Sequence, residues 1–129
     1  MNLTEKKFWS KLRKEMPGVV DRIENCVGVG MPDVNGSFNG QDYWVELKCC
    51  SNTSKERDVY SFFEKTQPVW MKERLLQMAL IFTIVEYPKK IFCYRMGLAG
   101  VSEKIEVRSN KACGEWIERQ INGLRSTRI

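Results

Sequence analysis

The spacing of apolar residues changes repeatedly along the chain, and the changes predict a mixed α/β order of elements. Phe8, Trp9, Leu12 and Met16 recur at helical spacing, so a helix is expected over 3–16, stopped by Pro17-Gly18. Residues 19–25 then read as a strand and 26–30 as a glycine-punctuated loop. In the run 43–48 the period drops to two: Tyr43, Val45 and Leu47 take one face, and Trp44, Glu46 and Lys48 the other. The preceding segment 35–42 carries an Asn-Gly turn signal, so two strands are expected to fold back antiparallel and bring Asp33 beside Glu46. A second helical stripe, Trp70, Met71, Leu75 and Met78, predicts a helix over roughly 67–79, with Thr66 as N-cap and Pro68 in its first turn. Residues 80–87 and 90–95 read as buried strands around Pro88-Lys89, followed by a short strand at 104–107 and a last helix through Trp116, Ile117 and Ile121.

Candidate chemistry gathers where the period is two. Glu46 and Lys48 share one strand face, and the expected hairpin adds Asp33, so two carboxylates and an ammonium converge. Mg²⁺ or Mn²⁺ suits such a set, because a hard cation takes one or two carboxylates and completes its shell with carbonyl, water and phosphate oxygens. Asp33 and Glu46 are the expected ligands, with the Leu47 carbonyl as a further oxygen. Lys48 could position or deprotonate an attacking water and offset charge on a phosphodiester in hydrolysis. The plainer reading makes Asp33 a turn residue and Glu46 and Lys48 a solvated strand face. Trp44 on that same face weighs against it, since an indole does not mark a purely water-facing surface.

Composition narrows the classes. A chain of 129 residues, 43% apolar and without repeats, fits one domain able to bury a core. Lys and Arg number 21 against 16 Asp and Glu, a formal charge of +5, which favours polyanionic partners, nucleic acid above all. There is no histidine, which removes histidine-based nucleases, Ser-His-Asp and Cys-His hydrolases and histidine-rich zinc sites. Five cysteines, with no CxxC pair and no signal-peptide pattern, read as reduced thiols of a cytoplasmic protein, and Cys49-Cys50 as strand residues, not nucleophiles. No segment is apolar enough to span a bilayer, so no membrane partner is expected.

The pattern Gly30-Met31-Pro32-Asp33, then a strand ending Trp44-Val45-Glu46-Leu47-Lys48, then Gln67 opening a helix, resembles the PD-(D/E)xK nuclease superfamily. Within it the pattern resembles the VRR-NUC group, which is similar to archaeal Holliday junction resolvases; residues 1–87 carry the match. The resemblance implies a restriction-endonuclease-like core, a mixed central β-sheet flanked by helices, with the core at about 1–95 of a single domain and a C-terminal extension at about 96–129. It implies a metal-dependent DNA endonuclease acting on branched or junction DNA in recombination or repair, in a bacterial or phage-infected cell. Cutting a four-way junction needs two sites and so implies a homodimer.

The resemblance also places an additional catalytic acid on the first helix. Glu5 is the candidate there, while Asn2-x-x-Glu5 has equally the spacing of a capping box. Glu24 is the alternative acid, either completing the metal shell or orienting Lys48 or Arg22. Gln67 is expected next to the carboxylates, bonding a metal-bound water or a phosphate oxygen. Arg22, Lys55, Arg57 and Lys65 are candidate DNA contacts, with Tyr60, Phe62 and Phe63 either stacking on unpaired bases or packing their segment onto the core. The alternative function is a catalytically inactive nucleic-acid-binding scaffold that keeps a nuclease-like core.

Overall fold

The computed structural model describes residues 1–23 and 31–127. Glu24, the loop 26–30 with Gly30 of the motif, and Arg128 lie outside the described residues. The two-residue period of β3 (Gln41–Cys49) organises what surrounds it: Tyr43, Val45 and Leu47 are fully buried on one face, and Glu46 and Lys48 lie on the other. Among the described residues the sheet has six strands in chain order: β1 (Val19–Arg22), β2 (Val34–Phe38), β3, β4 (Leu80–Tyr87), β5 (Lys90–Gly97) and β6 (Gly100–Val107). Only β3 and β4 run parallel; the other neighbours are antiparallel. A parallel pair needs a crossover, supplied by a 3₁₀ turn (Val59–Phe62) and helix α2 (Thr66–Leu75). The chain is thus α/β with the expected mixed sheet flanked by helices.

Two apolar clusters sandwich the sheet. Helices α1 (Leu3–Leu12) and α3 (Asn110–Thr127) cover one face, where Phe8, Leu12, Val45, Phe82, Ile117 and Ile121 meet. On the other face α2 and the 3₁₀ turn set Val59, Trp70 and Met71 against Ile81, Val85 and Phe92. β4 is therefore buried on both sides, and its run Leu80–Val85 is almost wholly apolar for that reason.

The boundaries differ from the pattern in physically clear ways. The hairpin turn between β2 and β3 is Asn39-Gly40, both at positive φ (52° and 77°), whereas Asn35-Gly36 lies inside β2. Gly36 is there for space: a Cβ would sit 2.2 Å from the Tyr43 ring, whose hydroxyl donates to the Pro17 carbonyl at 2.7 Å. Helix α1 stops at Leu12, four residues before Met16, which is nonetheless buried as the chain turns beneath the sheet. The first strand ends at Arg22. Thr66 is the first helical residue of α2, not its N-cap; Lys65 occupies that position without a side-chain cap.

Helix α2 also ends early. Met78 N–H bonds to Leu75 O and Ala79 N–H to Arg74 O, a Schellman closure with Met78 at φ +67°. Met78 is consequently 75% exposed and no part of the buried stripe. The last strand begins at Gly100, four residues before its predicted start, and pairs along β5.

Candidate active site

Asp33 follows Pro32, which has no N–H to satisfy and favours an extended residue before it. The Asp33 carbonyl accepts the Ile23 N–H at 2.8 Å, and its own N–H donates to Glu46 Oε1 at 3.2 Å. In return its carboxylate Oδ2 accepts the Leu47 N–H at 3.0 Å. The β2–β3 ladder ends at Val34 paired with Val45, so these side-chain bonds replace the ladder just where it stops. In an extended strand a residue's N–H and C=O point to the same edge. The Leu47 carbonyl is therefore turned, like its amide, toward Asp33.

Glu46 is 2% exposed. Its Oε2 accepts Gln67 Nε2 and lies 3.0 Å from Lys48 Nζ. Gln67 is held in that orientation because its Oε1 accepts the Glu64 N–H at 3.0 Å. Burial, then the negative charge of Asp33, push the Glu46 carboxyl up to about 7, against the opposing pull of Lys48 and Gln67. For Lys48, burial alone would lower the ammonium, but Glu46, Glu5 and Asp33 together outweigh it and its pKa is raised. Lys48 therefore stays protonated at neutral pH. Its side chain and that of Asp33 remain partly exposed, which marks the side open to a ligand.

The structure thus brings together Asp33, Glu46, Leu47, Lys48 and Gln67. Glu5 takes up the capping box: its N–H donates to Asn2 Oδ1 at 2.9 Å and its Oε1 accepts the Asn2 N–H at 3.2 Å. It sits on the helix covering the opposite face, and its link to the group is the charge it exerts on Lys48. Arg22, Lys55, Arg57 and Lys65 are all exposed. The Arg57 guanidinium lies 4.6 Å over the Phe62 ring, and its backbone N–H donates to the Tyr87 hydroxyl at 2.9 Å. Phe62 and Phe63 pack this segment against the second cluster, leaving Tyr60 39% exposed.

Two features escaped the sequence pattern. Glu56 accepts the Tyr94 hydroxyl and pairs with Lys104 at 3.1 Å, lining a cavity of about 600 Å³ between the 3₁₀ turn and the β5–β6 hairpin. Thr83 is fully buried beside Glu46 in the β3–β4 register; the available signal was one hydroxyl in an otherwise apolar run.

Among the described residues no cluster of three or more Asp, Glu, Cys or His forms a closed metal cage. Asp33, Glu46 and the Leu47 carbonyl nonetheless fit a hard divalent cation, which asks for few protein oxygens and keeps several waters. Two carboxylates close enough for one to raise the pKa of the other are a place where an added cation relieves repulsion.

Among the described residues no helix is long and apolar enough to cross a membrane. No protein-family model matches the chain, and no curated protein matches it. Among solved structures the chain is similar to Archaeoglobus fulgidus Hjc, a Holliday junction resolvase from an archaeal hyperthermophile. The two share 13% identity over 83% of this chain and 87% of that one, with a TM-score of 0.46.

Proposed function

We propose that the chain is a metal-dependent DNA endonuclease of the PD-(D/E)xK type, VRR-NUC-like, that hydrolyses phosphodiester bonds in branched DNA. One observation carries this reading: the Asp33 amide donates to the Glu46 carboxylate and the Leu47 amide donates to the Asp33 carboxylate, with Lys48 Nζ 3.0 Å from Glu46. Asp33, Glu46 and the Leu47 carbonyl hold Mg²⁺ or Mn²⁺. When bound, that ion acidifies water and offsets charge on the phosphate. Lys48, kept protonated by the surrounding acids, acts as a hydrogen-bond donor and fixed positive charge toward a phosphate oxygen or the attacking water, not as a base. Gln67 holds Glu46 in place, and Glu5 contributes its charge to the protonation of Lys48. Exposed Arg22, Lys55, Arg57 and Lys65 supply phosphate contacts that favour DNA without reading its sequence. A symmetric pair of chains would present two sites to a junction, in DNA recombination or repair.

A second reading, an inactive nucleic-acid-binding scaffold, draws on the fact that both Glu46 oxygens already have donors. Calorimetric titration of Mn²⁺ into wild type and Asp33→Ala separates the two. The nuclease reading expects saturable binding to wild type that falls at least tenfold in the variant, on the usual scale for disturbing a metal site. Absence of binding to wild type, with DNA held equally well in chelator, supports the scaffold.

A further inference from the structure

Strand β4 is buried on both faces, and Thr83, the one hydroxyl in its run Leu80–Val85, is fully buried with it. Among the described residues Thr83 Oγ1 is the one buried side-chain oxygen or nitrogen with no hydrogen-bond partner. Such an orphan costs about 1–3 kcal/mol, and valine, of the same shape and as good a strand former, would remove it. The fold alone therefore does not explain a threonine here.

Its position narrows the explanation. In the parallel register Thr83 is the partner of Glu46, and in the antiparallel register on its other side the partner of Tyr94. Lateral neighbours in a sheet lie about 4.8 Å apart with side chains on the same face. The Tyr94 hydroxyl is committed to Glu56, which leaves Glu46 as the polar neighbour in that row. Glu46 Oε2 now takes two donors, Lys48 and Gln67, while Oε1 takes the Asp33 amide. In the metal-dependent reading, a Lys48 turned toward substrate would leave Glu46, itself 2% exposed, short of one donor.

We propose that Thr83 is a positioning residue of this site, whose hydroxyl takes over as donor to Glu46 and holds the carboxylate in its cation-bearing orientation. The inference rests on the metal-dependent reading above. It is tested on the full chain with Thr83→Val and Thr83→Ser, by thermal melting in chelator and by calorimetric titration of Mn²⁺. Thr83→Val should melt at or above the wild-type temperature, yet bind Mn²⁺ about tenfold more weakly, the scale seen when a group that orients a ligand is removed. Thr83→Ser should bind within about twofold of wild type, and Thr83→Val should lower kcat on DNA with KM unchanged. Wild-type Mn²⁺ affinity in Thr83→Val overturns the inference and leaves the metal site standing. So does a lowered melting temperature in Thr83→Val, which makes the hydroxyl structural. A wild type that binds no Mn²⁺ overturns the functional reading itself, and the role of Thr83 with it.

Discussion

Glu46 is the residue on which the opposing effects meet. Its ordinary value of 4.5 is pushed up to about 7, chiefly by burial and then by Asp33. Between those two values the unfolded chain has lost the proton that the folded chain still holds. Stability in the absence of metal is therefore full below about 4.5 and falls as pH rises through about 7, by an amount on the order of 3 kcal/mol at most. Glu46→Gln removes the titrating group. Melts in chelator at pH 5 and pH 8 should show a wild type that loses stability at the higher pH and a variant that loses much less. Equal slopes would mean that Glu46 ionises normally in the folded chain. Asp33, Glu46 and Lys48 were legible in the sequence because the strand period and an Asn-Gly turn fix their faces and partners. Gln67 came only through the resemblance. Thr83 was not legible at all, because threonine is an unremarkable strand residue until its register beside Glu46 is known.

At the scale of elements, what positions the site is how the helices seat on the sheet. Gly114 in α3 lies so close to the turn that follows α1 that a Cβ would meet the Glu15 carbonyl oxygen at 1.9 Å. Helix propensity favours alanine there by about 1 kcal/mol. The opposing clash is with backbone, which cannot swing aside as a side chain can, and overpacking of this kind costs about 1–3 kcal/mol. Gly114→Ala should therefore lower stability by up to about 2 kcal/mol in a denaturant titration while leaving Mn²⁺ affinity of the folded protein unchanged. A stabilised variant would show that α3 is not seated on the Glu15 carbonyl. Helix existence was readable from apolar spacing, but helix ends were not. Met78 continues the stripe of α2 in sequence, yet the chain has already turned over at φ +67° to enter β4 beside β3. Strand β6 was underestimated because it is a sheet edge with one buried residue, Val107, and so shows almost no apolar alternation.

Across the whole molecule, a pair of acids, Glu46 buried and Asp33 partly exposed, sits in a chain of net charge +5. A positive overall charge favours polyanionic partners, and in the proposed nuclease the acids would reserve one place for a cation between protein and phosphate. The C-terminal segment had no readable motif. In the structure Cys113, Trp116, Ile117 and Ile121 of α3 join the first apolar cluster and β6 covers the β5 edge. The most direct measurement incubates wild type and Lys48→Ala with end-labelled four-way junction, flap, linear duplex and single strand, each with Mg²⁺, Mn²⁺ or chelator. Paired symmetric nicks in the junction with wild type and metal, absent in chelator and lowered by at least about a hundredfold in Lys48→Ala, are expected of the proposed nuclease. No cutting of any DNA by wild type, or cutting that persists in chelator or in Lys48→Ala, would show that Asp33, Glu46 and Lys48 are not its active site.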